Sequence, residues 1–75
     1  MRFRDLRPGD RARVVDLGAL DPQLRARLLS LGLIPGTEFE VERVAPLGDP
    51  VAIRVRDFQL GLRRSDAGAM EVERL

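Results

Sequence analysis

At Pro35-Gly36 the apolar pattern of this chain changes period, and that switch constrains the fold more than any other feature. Before it, Leu24, Leu28 and Leu31 recur at helical spacing. After it, Phe39 and Val41 alternate with Glu38, Glu40 and Glu42, and Val51, Ile53 and Val55 alternate with Ala52, Arg54 and Arg56. Strict alternation marks strands with one buried and one wet face. One helix followed by short strands in 75 residues leaves room for a single core. With no cysteine, no disulfide or zinc-thiolate site supports that core.

The local signals place the elements. Arg7-Pro8-Gly9-Asp10 is a turn, since Pro fixes one dihedral and Gly tolerates positive φ. Ala12, Val14 and Val15 then read as a strand ending near Asp16. Asp21 suits a helix N-cap, Pro22 the first helical position and Gly32 the residue that closes the helix, which predicts a helix over about 22–31. The segment Pro46-Leu47-Gly48-Asp49-Pro50 cannot continue a ladder and is expected to be a loop. If that loop closes a hairpin, Glu42 faces Arg54 and Glu40 faces Arg56. Asp57-Phe58 reads as a tight turn into a strand carrying Phe58, Leu60 and Leu62 on one face. Ser65 to Ala69 fits one short helical turn, with Ser65 as its cap, and Met70-Glu71-Val72-Glu73 a final strand. The expectation is a mostly β domain over residues 1–75, a small barrel of about five strands with one short helix. The pattern alone does not choose between SH3-like and OB-type barrels.

Composition narrows the chemistry. Histidine, cysteine, lysine and tyrosine are all absent, so no side chain offers a tuned nucleophile or base near neutral pH. Ser30 and Ser65 have no activating partner, and the glycines form neither GxGxxG nor a P-loop. The chain is expected not to be an enzyme and to carry no cofactor. Only carboxylates are available to a metal; Glu38, Glu40 and Glu42 read as a solvated face paired to arginines, so no metal site is assigned. Thirteen arginines are interspersed with twelve acidic residues, without the basic stripe or exposed aromatics of a nucleic-acid surface. No apolar run approaches the ~20 residues of a membrane span, and the charged N-terminus lacks a secretory h-region, so a cytoplasmic location without membrane insertion is expected.

A binding surface remains. Leu47 sits at the tip of a loop stiffened by two prolines, where it either anchors a partner or folds back onto the domain. Gly48 and Asp49 share that loop. Arg63-Arg64 follows the last core leucine; the pair either recognises a carboxylate or phosphate, or bonds Asp66 or Glu71. Gly61 marks either a tight corner or a close approach by a partner. The candidate partner-binding residues are therefore Leu47, Gly48, Asp49, Arg63 and Arg64.

Three segments in order, Leu31-Gly32-Leu33-Ile34-Pro35-Gly36, Ala45 to Pro50, and Leu62-Arg63-Arg64 with Asp66-Ala67, resemble the FeoA family over about Leu6 to Val72. That resemblance implies an SH3-like barrel and a small cytosolic protein that binds and modulates the FeoB ferrous-iron transporter, a membrane protein with a GTPase domain. Two positions depart from the family pattern. Asp57 stands in a turn that usually carries glycine, and Gly68 stands where a better helix former is common, so it is expected to loosen the short turn before Met70. The alternative is a free-standing relative of the SH3-like C-terminal domain of DtxR-type metal-dependent repressors. Barrel edges and small size leave weak self-association open.

Overall fold

The computed structural model describes all residues, 1–75. In chain order they form a 3-10 turn (Phe3–Asp5), β1 (Arg11–Asp16), α1 (Pro22–Ser30), β2 (Glu38–Val44), β3 (Val51–Val55), β4 (Phe58–Leu62), α2 (Arg64–Ala67) and β5 (Glu71–Arg74). The strands make one antiparallel sheet in the order β4-β3-β2-β1-β5. No ladder joins β4 to β5, so the sheet curls without closing.

The alternation seen in the sequence delivers the core. Phe39, Val41, Val51, Ile53, Val55, Leu62 and Val72 are all buried, together with Ala12 and Val14 of β1. Phe3 and Leu6 reach the same cluster from the N-terminal segment, and Phe3 meets Phe39 at a ring separation of 6.0 Å.

α1 starts where Asp21 accepts from the amides of Gln23 and Leu24, the N-cap bond that its position before Pro22 predicts. It ends one residue short of expectation. Gly32 adopts φ 95°, Leu33 N–H donates to the Leu28 carbonyl at 2.9 Å, and Gly32 N–H donates to that of Leu29 at 3.0 Å. This is a Schellman ending, in which the chain reverses. Leu31 is consequently 40% exposed, and Leu33 takes the core position that helical spacing would have assigned to it. Thr37, buried, closes the segment: its hydroxyl donates to the Gly32 carbonyl and accepts from Ile34 N–H.

The β2–β3 register differs from the expected one. Glu40 stands opposite Arg54, and a bulge at Glu42 separates the Val41–Ile53 and Arg43–Ala52 pairs. Arg54 Nε still donates to Glu42 Oε2 at 2.7 Å, so one expected ion pair forms across the bulge. The Glu40–Arg56 pair does not, because Arg56 has left the strand. It occupies the β3–β4 turn at φ 53°, so the left-handed residue there is Arg56 and not Asp57.

Two glycine expectations also change. A Cβ on Gly61 would make only ordinary contacts with Pro50, at 3.7 Å and beyond, so no tight corner within the domain requires glycine there. Gly68, by contrast, ends α2 where a Cβ would run into the Arg64 carbonyl oxygen and crowd Arg4. Glycine fits there because no other residue does, and it does not loosen the turn.

Candidate functional site

The β2–β3 connection is built to present one side chain. Ala45 to Gly48 form a turn closed by Gly48 N–H donating to the Ala45 carbonyl at 2.8 Å, with Pro46 at its second position. Gly48 continues it at φ 96°. Leu47, at the tip, is 98% exposed. Leu47 does not fold back onto the domain.

The loop is fastened from 15 residues away. Asp49 Oδ1 accepts a hydrogen bond from Arg64 N–H at 2.9 Å. Arg64 Nη1 donates to the Gly48 carbonyl at 3.0 Å. The first bond satisfies an amide at the start of α2, which no local side chain caps. Ser65 lies inside the helical turn, so the capping role expected of it belongs to Asp49. Neither Arg63 nor Arg64 pairs with Asp66 or Glu71; the ion pairs belong to Arg11, Arg13, Arg54 and Arg74. A Cβ on Gly48 would come within 3.1 Å of Arg64 Nη1, at a backbone angle that L residues resist. Gly48 is thus fixed by its conformation and by its neighbour.

Of the five residues singled out in the sequence, the fold brings Leu47, Gly48, Asp49 and Arg64 together. Arg63 is exposed beside them, and its carbonyl accepts the Asp66 and Ala67 amides. Arg64 also borders the largest surface groove, about 670 Å³, which it shares with Arg4 and Arg27. No sequence signal marked those two arginines, because only the packing of the N-terminal turn on α2 brings Arg4 near. That packing rests on three bonds: Phe3 N–H to the Met70 carbonyl at 2.8 Å, Arg4 N–H to that of Gly68 at 3.2 Å, and Arg2 Nη1 to that of Ala69 at 2.9 Å.

On the glutamate face of β2, Glu38 and Glu42 pair with arginine as the charge pattern suggests, and Glu40 does not. Glu38 contacts Arg13 at 3.3 Å and Arg11 at 3.7 Å, and Glu42 accepts from Arg54 at 2.7 Å and Gln59 at 2.6 Å. Such exposed pairs contribute about 0–1 kcal/mol each. No three acidic side chains converge closely enough to hold a metal ion.

Comparison with known proteins places this geometry among relatives. The FeoA domain profile matches residues 1–74. The chain is 40% identical over 73 residues to an Fe(2+) transport protein A/Fe(2+) transporter FeoB fusion protein of Porphyromonas gingivalis; the match takes in 97% of this chain and 8% of that much longer protein. It superposes on the FeoA protein of Chlorobium tepidum with a TM-score of 0.92 at 40% identity, over all of this chain and 70% of the other. The zinc-complexed FeoA of Stenotrophomonas maltophilia, described as a prokaryotic SH3 domain protein, superposes with a TM-score of 0.74 at 31% identity, over 97% and 89% of the two chains.

Proposed function

The chain belongs to the FeoA family, and we propose that it is a non-catalytic cytoplasmic accessory of ferrous-iron uptake that docks on the cytosolic region of the FeoB transporter. The observation that carries this reading is the 98% exposure of Leu47 on a loop held by two bonds to Arg64. A loop backbone already fixed in place loses little conformational entropy on binding, and burial of its apolar side chain contributes about 1.5–3 kcal/mol. Leu47 forms the apolar tip of this contact with Gly48 and Asp49 beside it, and Arg63 and Arg64 form its charged flank.

The Porphyromonas gingivalis relative supports the choice of partner, since a matching domain and a FeoB transporter are there one polypeptide. Covalent fusion keeps two modules at high effective concentration, which favours a contact too weak to persist between separate chains. No helix of this chain is long and apolar enough to cross a membrane, and the proposed contact is with the transporter's cytosolic surface. Iron is the transporter's cargo in this account and is not held by the accessory. Neither nucleic acid nor a cofactor has a part in it.

The test is titration of the protein against the isolated cytosolic region of FeoB, with GDP and with a GTP analogue. Saturable binding in at least one nucleotide state is expected. Absence of binding in both would remove the cytosolic region as the docking partner.

A further inference from the structure

Arg4, Arg27 and Arg64 come from three separate elements, the 3-10 turn, α1 and α2, yet border one open groove of about 670 Å³. None of the three takes part in an ion pair. In Arg64, Nη1 holds the Gly48 carbonyl and Nε is closed off from solvent, which leaves Nη2, without a hydrogen bond, to serve a ligand. Each guanidinium is a planar fork matched to an oxyanion. Two carboxylates share the groove, Asp21 and Asp66. Asp21 is already committed to the first amides of α1, at 3.0 and 3.4 Å.

We propose that this groove binds an acidic peptide segment of a protein partner, its carboxylates engaging Arg4, Arg27 and Arg64 and its apolar side chains resting on Leu24. The groove's mixed charge selects for that chemistry. Asp21 and Asp66 would repel a continuous phosphate backbone, whereas a peptide can space its carboxylates to avoid them. The half-buried Leu24 adds an apolar floor that a simple anion would not use. Arg64 joins this groove to the Leu47 loop, so one partner segment can engage both. The transporter reading is needed only to say whose segment binds; the recognition chemistry does not depend on it.

The test uses the full chain, labelled with nitrogen-15, and a short blocked peptide alternating Glu and Leu. A peptide alternating Lys and Leu is the control. The Glu-Leu peptide is expected to produce saturable shifts of the backbone amides of residues 21–27 and 64–69, and the Lys-Leu peptide none. Arg27→Glu should weaken binding about tenfold or more. Arg43→Glu, the same charge change in a different surface groove, should not. Both side chains are exposed, so the variants are expected to keep the fold, which the spectra themselves report; Arg4→Glu provides a second variant in the groove. Absence of saturable shifts at the groove, or equal weakening by Arg27→Glu and Arg43→Glu, would overturn the proposal. The peptide contains no transporter sequence, so its failure leaves the Leu47 docking intact. Failure of the FeoB titration likewise leaves the groove intact.

Discussion

Asp49 Oδ1 accepts the Arg64 amide at 2.9 Å, so the loop between β2 and β3 caps a helical turn that lies two strands further along the chain. The contact ties the exposed tip at Leu47 to the element that carries Arg64. Loss of the Asp49 carboxylate should therefore cost both stability and loop order. Asp49→Ala is expected to lower the unfolding free energy by about 0.5–2 kcal/mol in urea titration, with Asp49→Asn retaining most of it. Equal stability of Asp49→Ala and wild type would mean that the cap contributes nothing.

The two glycines near the site should respond in opposite ways to the same change. Gly68→Ala forces a Cβ against the Arg64 carbonyl oxygen and should destabilise by about 1–3 kcal/mol. Gly61→Ala meets only ordinary contacts and should stay within about 0.5 kcal/mol of wild type. Thermal unfolding of both variants checks the contrast.

Arg56 holds φ 53° in the β3–β4 turn, a conformation that costs an L residue roughly 1–2 kcal/mol. Arg56→Gly relieves that strain but gives the unfolded chain more freedom. The expected net effect is neutral to about 1 kcal/mol stabilising, read from the urea midpoint. A clear loss of stability would show that the Arg56 side chain contributes contacts outweighing its strain.

Leu33 and Leu31 flank the glycine that reverses the chain. Leu33→Ala should cost about 2–5 kcal/mol, since Leu33 is fully buried in the main cluster. Leu31→Ala, at a 40% exposed position, should cost under about 1 kcal/mol. Similar losses for the two would contradict the helix ending described above.

What the sequence made legible was local. Asp21, Pro22 and Gly32 carry their own backbone chemistry, so the helix could be placed to within a residue. The strands were legible because alternation of Val51, Ile53 and Val55 has one sensible burial. Register was not. Glutamates at 38, 40 and 42 repeat every second residue, so a shift of two still faces an arginine with a glutamate; the bulge at Glu42 then decides the pairing. Helical spacing extrapolated through Leu31 ran one position past the reversal at Gly32. In the candidate site, the outward Leu47 was one of two open alternatives, whereas the Asp49–Arg64 contact depends on how α2 sits beside the hairpin loop. Arg4 and Arg27 border one groove with Arg64 only because the N-terminal turn and α1 lie beside α2 in the fold.

The most direct test of the central claim is a comparison of wild type and Leu47→Asp in titrations against the cytosolic region of FeoB. Leu47 is 98% exposed, so the substitution should leave stability within about 0.5 kcal/mol, as urea unfolding can verify. The account predicts saturable binding by wild type and a loss of about tenfold or more in Leu47→Asp, equivalent to about 1.4 kcal/mol or more. Equal affinity of the two folded proteins would place the loop outside the interface and contradict it.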